Sequence, residues 1–238
     1  MISNSEIKFL RSLKQKKFRD SSGLFIVEGE KLVQEALDSD FEVTGIWRMS
    51  EIGEEAMSKI SLLSSPSPVL ATVKSKSRRQ PAIPDGLCLA LDGVRDPGNM
   101  GTVIRLAEWF GVKAVFASPD SVEFHNPKVV QATMGSIFRV PLYTTDIPSL
   151  CRDFRIGGGS VIGTFLDGAD IYAGQLPEKA LIVMGNESNG ISAEVASVVD
   201  RRVTIPYFGE SHPESLNVAV ATAVTLAEYN RQIRYKKI

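Results

Sequence analysis

The sequence is poor in residues that bind metals or form disulfides. Its 238 residues include only two cysteines, Cys88 and Cys151, and two histidines. The cysteines lie far apart and have no His or Cys neighbour, a spacing that excludes a zinc site and a disulfide framework. Long apolar runs are also lacking: none approaches the roughly 18 residues of a membrane helix, and the basic N-terminus has no apolar core like that of a secretory signal. We therefore predict a cytoplasmic protein without a metal.

Charge is balanced overall but unevenly distributed. The net charge of -1 excludes a uniformly basic nucleic-acid-binding protein. Basic residues nevertheless form three local clusters: Lys8, Arg11, Lys14, Lys16, Lys17 and Arg19; Lys74, Lys76, Arg78 and Arg79; and Arg231, Arg234, Lys236 and Lys237. Any one cluster is as compatible with a solvated surface as with phosphate contacts. The three together favour a polyanionic partner.

The patterning predicts two domains joined by a linker. Residues 1–70 combine a basic helix over Ile7–Arg19 with two short apolar strands and two further helices, which is typical of a small α/β unit. Residues 71–86 end a stretch rich in Ser, Pro, Lys and Arg and are assigned to a linker. Residues 87–238 alternate short apolar strands with helices. This pattern predicts a buried, mostly parallel sheet covered by helices on both faces.

Ligands of parallel α/β sheets bind at the carboxyl ends of the strands, and three loops at such ends carry polar residues. The first is DPGNMGTVIRLAEWFG, Asp96–Gly111, in which Asn99 is a candidate helix N-cap. Arg105 follows on the helix, where a functional role and a structural ion pair are equally compatible with the pattern. The loop matches neither the P-loop nor the G-x-G-x-x-G dinucleotide fingerprint.

The second loop, Gly185–Gly190, allows a tight turn and carries Glu187, which we expect either to pair with Arg105 or to cap the following helix. The third loop leads to Ser215, a candidate N-cap, and to Asn217 before an Ala-rich helix. The small residues of that helix are compatible with close packing against a second subunit.

Together the three loops resemble the three motifs of the SpoU/TrmH family of RNA ribose 2′-O-methyltransferases, of the SPOUT class. Asn99-x-Gly101-x-x-x-Arg105 resembles the first motif and Gly185-Asn186-Glu187 the second, while Ile205-Pro206 with Ser215-Leu216-Asn217 resembles the third. Two departures concern loop shape: Ser188 stands where the family often has Gly, and the insertion FGESHPE, which contains His212, stretches the third motif. The N-terminal stretch FIVEGEKLVQEAL resembles the substrate-binding domain of the family, which has an L30e-like fold.

The resemblance implies an α/β trefoil knot in the C-terminal domain, S-adenosylmethionine as methyl donor, RNA as substrate and a homodimer in which Arg105 acts on the donor bound by the partner. Catalytic positions would be Arg105, Asn99, Glu187, Ser215 and Asn217. The donor would be held around Thr164, Phe165, Leu166, Met184, Gly185, Asn186, Gly190, Ile205, Pro206 and Leu216. RNA would contact Arg105 and the N-terminal cluster Lys8, Arg11, Lys14, Lys16, Lys17 and Arg19.

Three alternatives remain open from the sequence. One is a non-catalytic RNA-binding protein that keeps the fold, which would not need all five polar motif residues. Another is a Rossmann-type nucleotide enzyme, which the missing glycine fingerprint disfavours. The last is a tRNA substrate; the appended N-terminal domain favours ribosomal RNA.

Overall fold

A computed structural model of the chain describes residues 2–76, 83–210 and 215–235. Arg78, Arg79, His212, Lys236 and Lys237, singled out above, lie outside the described residues. The strands are β1 (Leu24–Glu28), β2 (Val43–Arg48), β3 (Val69–Lys74), β4 (Leu87–Leu91), β5 (Val115–Ala117), β6 (Leu142–Thr144), β7 (Ser160–Asp170), β8 (Ala180–Met184) and β9 (Arg201–Thr204).

The helices begin close to the apolar periodicities in the sequence. They are α1 (Asn4–Ser12), α2 (Lys16–Ser22), α3 (Glu30–Leu37), α4 (Met49–Ile52), α5 (Glu54–Ile60), α6 (Pro97–Trp109), α7 (Pro127–Thr133), α8 (Ile147–Ile156), α9 (Ala193–Ala196) and α10 (Val218–Tyr235), with a 3₁₀ turn at Ser136–Phe138. None of the helices within the described residues is long and apolar enough to cross a membrane.

The chain divides into two compact units. The first comprises Met1–Ser77 and Glu123–Arg139, and the second comprises Arg78–Val122 and Val140–Ile238. Two features differ from the boundaries expected from sequence. Strand β3 continues to Lys74, inside the expected linker, and residues 123–139 group with the N-terminal unit rather than with residues 87–238.

The first unit is built on an antiparallel sheet of order β1-β3-β2. One face buries Leu10, Leu13, Ile26, Met57, Ile60 and Leu70 in a common apolar cluster. Phe25 stacks on His125 at 4.4 Å between ring centroids. Burial lowers the pKa of His125 to about 4, so this ring is neutral at physiological pH.

The basic helix expected over Ile7–Arg19 is in fact two helices, α1 and α2, separated by Leu13–Gln15. At this break the side chain of Leu13 is buried in the core. The backbone carbonyl of Leu13 accepts a hydrogen bond of 2.6 Å from Arg19 Nη1. Arg19 is only 5% exposed and pairs with Glu123. It therefore stabilises the unit and is too buried to contact RNA as expected. The other members of the expected set, Lys8, Arg11, Lys14, Lys16 and Lys17, are all exposed.

The second unit confirms the predicted parallel α/β architecture. All pairs of its sheet are parallel, in the order β6-β5-β4-β8-β7-β9. Strands β4, β5 and β8 are completely buried, as their continuous apolar sequences predict. Because all six strands run the same way, the loops after β4, β7, β8 and β9 leave the same edge of the sheet. The knotted threading implied by the resemblance remains a prediction.

Helices α6 and α10 pack side by side and run parallel. Asn217 before α10 donates to Asn99 in the first turn of α6 at 2.9 Å, and Asn230 near the end of α10 donates to the carbonyl of Phe110 after α6 at 3.3 Å. Matched contacts at both ends establish the parallel orientation. The packing brings the first and third sequence motifs together.

Candidate active site

A cavity of about 730 Å³ opens at the edge of the sheet where the strands end. This volume lies within the usual range of small-molecule sites. Of the expected donor-binding positions, all but Pro206 line it. The lining residues are Thr164, Phe165, Leu166, Asp167, Met184, Gly185, Asn186, Glu187, Ser188, Asn189, Gly190, Ile191, Thr204, Ile205, Ser215, Leu216, Val218 and Ala221.

One wall of the cavity is a wide bulge in β7. Val203 of β9 pairs with Thr164 and again with Ala169, so residues 165–168 bulge out of the sheet. Glycine is required within this bulge, because a Cβ on Gly168 would lie 2.4 Å from the carbonyl carbon of Val203. Arg202 makes two contacts within the bulge. Its guanidinium carbon Cζ lies 3.6 Å from the ring centroid of Phe165, and its Nη2 donates to Asp167 Oδ1 at 2.6 Å. Leu166 is left 77% exposed at the cavity wall.

The opposite wall is the loop after β8, which Asn186 and Gly190 close with two backbone hydrogen bonds of 2.9 Å. Asn186 Oδ1 accepts from the amides of Ser188 and Asn189, and Asn186 Nδ2 donates to the carbonyl of Gly93 at 2.6 Å. The Asn186 side chain thus orders its own loop and ties it to the loop after β4.

Three of the expected catalytic side chains form one hydrogen-bonded network. Asn99 Nδ2 donates to Glu187 Oε1 at 3.0 Å, and Asn217 Nδ2 donates to Asn99 Oδ1 at 2.9 Å. The Glu187 carboxylate also accepts from the backbone amides of Arg95 and Asp96. The network joins all three motif loops, so moving any one loop relative to the others would break side-chain hydrogen bonds.

The helix caps differ from those expected and explain why these side chains are available. Asp96, not Asn99, caps α6: its carboxylate accepts from the Asn99 amide at 2.8 Å, with Pro97 in the first helical turn. Asn217, not Ser215, accepts from the amides of Ala219 and Val220 at the start of α10. Asn99 is therefore left free to bridge Glu187 and Asn217, and Ser215 lines the cavity.

Glu187 is held as a carboxylate. Burial alone would raise its pKa, but the hydrogen bonds from Asn99 and from the backbone amides outweigh burial and lower the pKa below its ordinary value. A carboxylate with a lowered pKa is a poor proton acceptor near neutrality. Its hydrogen bonds hold Asn99 and the backbone of Arg95 and Asp96 in place.

Replacing Glu187 with Gln is expected to lower about tenfold or more the rate of the methyl transfer that the resemblance implies. Each carboxylate oxygen accepts from two N–H groups, and the Gln amide keeps only one acceptor oxygen, so two of the four N–H groups lose their acceptor. Single-turnover methyl transfer measures this effect. The control is Glu194→Gln, which alters an exposed carboxylate in the first turn of α9. A Glu187→Gln rate equal to that of the control would contradict the positioning role.

Arg105 lies apart from this network. It is exposed on α6 and does not line the cavity, and no hydrogen bond or ion pair to its guanidinium occurs in the described part of the chain. The expected pairing of Glu187 with Arg105 is therefore wrong. Arg105 instead shares an exposed stripe of α6 with Thr102 and with Trp109, which is 84% exposed.

Sequence reasoning missed the residues that anchor the loops. Asp92, only 8% exposed at the end of β4, accepts from the Ser192 amide at 2.7 Å and thereby fastens the chain after the second motif. Ser118 donates to Asp120 at 2.6 Å and accepts from the Gly93 amide at 2.8 Å, which fixes the loop after β4. The position of Asp92 after a buried strand was the only signal available, since the partners lie far along the chain.

Comparisons of the sequence with protein-family models and with known proteins all point to one family. The model of the SpoU rRNA Methylase family matches residues 86–227, and the MRM3-like substrate binding domain matches residues 4–71. The 23S rRNA (guanosine(2553)-2′-O)-methyltransferase RlmP of Bacillus subtilis is 30% identical, covering 93% of this chain and 94% of the relative.

Two solved structures extend the likeness to three dimensions. A TrmH-family protein from Porphyromonas gingivalis is 38% identical with a TM-score of 0.89, covering 97% of this chain and 99% of that one. An AdoMet-bound rRNA methyltransferase from Sinorhizobium meliloti is 30% identical with a TM-score of 0.86, covering 97% and 96%.

Proposed function

Because the chain belongs to the SpoU rRNA methylase family, we propose that it transfers the methyl group of S-adenosylmethionine to a ribose 2′-hydroxyl of ribosomal RNA. The observation that carries this proposal is the cavity formed by the strand-end loops, with the Glu187–Asn99–Asn217 network at its side. A ribosomal RNA substrate assigns the enzyme to the cytoplasm. The B. subtilis relative is named for 23S rRNA, which favours ribosomal RNA over tRNA.

The chemistry of the cavity suits a cationic donor. Among the described lining residues the charged side chains are Asp167 and Glu187, both acidic. Asp167 is paired with Arg202, whereas Glu187 has no cationic partner among the described residues. The charge of Glu187 favours the sulfonium of S-adenosylmethionine and disfavours the phosphates of ATP or NAD. Leu166, Ile205 and Leu216 supply apolar walls for an adenine ring. Gly185 lines the cavity without a side chain, so the polar edge of the ring can approach the backbone there.

The chain must orient the ribose and manage a proton. When bound, S-adenosylmethionine supplies an activated methyl group whose transfer needs no metal. Asn99, held by Glu187 and Asn217, presents fixed polar groups beside the cavity, and Ser215 adds a hydroxyl at its lining. Arg105 binds the substrate phosphate and ribose, because a guanidinium offers several donors in a fixed plane. Fixed orientation of this kind can lower a barrier by several kcal/mol.

A homodimer explains why Arg105 lies outside the cavity of its own chain. The parallel helices α6 and α10 expose Trp109 and Val220, at 84% and 51%, together with Arg105. Two large exposed apolar side chains beside a functional cation are typical of an interface. We assign this surface to a second copy of the chain, with Arg105 serving the donor cavity of the partner.

The proposal is tested by titrating the protein with S-adenosylmethionine, ATP and NAD in a calorimeter. We expect selective binding of S-adenosylmethionine with one site per chain, followed by transfer of labelled methyl groups to ribosomal RNA. The absence of donor binding both with and without total ribosomal RNA would contradict the function and favour an RNA-binding protein that keeps the fold. Methylation of tRNA but not of ribosomal RNA would change the substrate alone.

A further inference from the structure

The first unit contains a separate cavity of about 280 Å³ that the methyl-transfer site does not use. It is lined by Ile26, Glu28, Leu62, Leu63, Pro127, Lys128, Gln131 and Ala132. Ile26 and Glu28 are two residues apart on β1 and so share one face of the sheet, while the other lining residues come from the chain after α5 and from α7. The walls are mostly apolar, and the polar groups number three.

Glu28 is the unusual member of this lining. It is 3% exposed, yet no cationic side chain of the described residues pairs with it. The Ser61 hydroxyl donates to one carboxylate oxygen, and the Leu62 amide donates to the other at 3.0 Å. Each carboxylate oxygen can accept two hydrogen bonds, so one acceptor position on each oxygen remains. Burying a polar group with acceptor positions left over is costly, and a ligand that donates to those positions would offset the cost.

We propose that this cavity binds one unpaired guanine base of the RNA substrate. The inference rests on the proposed function, since it presumes an RNA substrate, but it uses a site in the other unit. A cavity of about 280 Å³ is large enough for a single planar base and too small for a nucleotide duplex. Single-stranded loops and bulges are the usual targets of base-specific RNA recognition.

Guanine fits the donor and acceptor pattern better than the other bases. Its Watson–Crick edge offers two adjacent N–H groups, N1–H and N2–H, which match the two free acceptor positions of the Glu28 carboxylate. Gln131 lines the same cavity with an amide that can donate to the guanine O6. Leu62, Leu63 and Pro127 provide apolar surfaces for the faces of the ring. Lys128 is exposed at the rim, where it can contact the flanking phosphate.

Two substitutions test the site by different means. Glu28→Gln keeps the shape and removes the charge, and Ala132→Leu fills the cavity while leaving Glu28 in place. Both should weaken RNA binding about tenfold, as expected for loss of a bidentate base contact, while S-adenosylmethionine affinity stays unchanged. Glu54→Gln, an exposed carboxylate on α5, is the matched control. Thermal unfolding of each variant reports whether the unit is still folded.

The Ala132→Leu variant separates a binding site from a packing defect. Filling an unused cavity typically raises stability and leaves function alone, whereas filling a base site weakens RNA binding whatever happens to stability. RNA fragments with single guanosines replaced by inosine, which lacks the 2-amino group, give the second readout. At one position away from the methylated nucleotide, inosine should weaken binding to the wild type but not further weaken binding to Glu28→Gln.

The outcomes distinguish this proposal from the function on which it rests. If wild-type protein binds and methylates ribosomal RNA but both variants do so equally well, the base site is wrong and the function stands. Sensitivity to inosine that persists unchanged in Glu28→Gln also overturns the assignment. If the wild type binds no RNA at all, the proposed function itself fails.

Discussion

Replacing Arg105 with alanine is expected to lower methyl transfer at least about a hundredfold while leaving the affinity for S-adenosylmethionine unchanged. Removal of a single donor that stabilises a transition state commonly has an effect of this size. Donor binding should persist because Arg105 does not line the cavity of its own chain and, at the cavity of the partner, is assigned to the phosphate and ribose of the RNA, not to the donor. Calorimetry and single-turnover methyl transfer on the same preparation measure the two quantities. Arg152→Ala, which removes an exposed arginine from α8, is the control.

Mixing two impaired chains, at a donor concentration too low to load the Gly185→Ala cavity, tests whether Arg105 acts across a dimer interface. One chain carries Arg105→Ala and keeps its donor cavity, while the other carries Gly185→Ala and keeps its arginine. In random mixtures about half of the dimers are mixed, and each mixed dimer has one complete site, so about a quarter of wild-type activity should return. No activity would return if each arginine served its own cavity. A fully active Arg105→Ala variant would end the assigned role altogether.

The sheet and the position of the site were predictable because they depend on local sequence. Short continuous apolar runs such as Leu87–Leu91 and Ala180–Met184 are typical of buried strands of a parallel sheet. The carboxyl ends of such strands meet at one edge, so polar residues that follow them in sequence come together in space. The donor-cavity prediction followed from this rule and from the resemblance, and nearly all of its members line one cavity.

The helix caps were misassigned although the signal was present. The dipeptide Asp96-Pro97 marks a helix start as clearly as Asn99 does, since Asp is a good N-cap and Pro favours the first turn. The sequence left open whether Asn99 caps the helix or takes part in the site, and whether Glu187 orients Arg105 or Asn99. In the structure Asp96 caps the helix, and Asn99 is the partner of Glu187.

Features that depend on distant partners were beyond sequence reasoning. Arg19 looks like one more exposed cation, and only the proximity of Glu123 and of the Leu13 carbonyl explains its burial. The grouping of Glu123–Arg139 with the N-terminal unit has the same origin, because Phe138 packs against Phe25 and Phe41. The bulge in β7 is set by pairing with β9, which no single-strand pattern reveals.

The largest loss of donor binding is expected from Gly185→Ala. A Cβ at this position would lie 2.2 Å from the carbonyl carbon of Gly190 and 2.3 Å from the amide nitrogen of Ile191. Both atoms belong to backbone that Asn186 and Gly190 hold closed through paired hydrogen bonds, so the clash cannot be relieved by a side-chain rotation. The loop must open, and the cavity wall that it forms is displaced.

We expect Gly185→Ala to weaken S-adenosylmethionine binding at least about tenfold, and to lower the free energy of unfolding by roughly 1–3 kcal/mol, as overpacking usually does. Gly174→Ala is the matched control, because a Cβ there meets no atom within 4 Å. Calorimetry on folded protein, verified by circular dichroism, separates loss of the site from loss of the fold. Wild-type donor affinity in Gly185→Ala would mean that the donor does not contact this loop. In that case the cavity would bind a ligand other than S-adenosylmethionine, because the loop after β8, with Glu187, forms one of its walls.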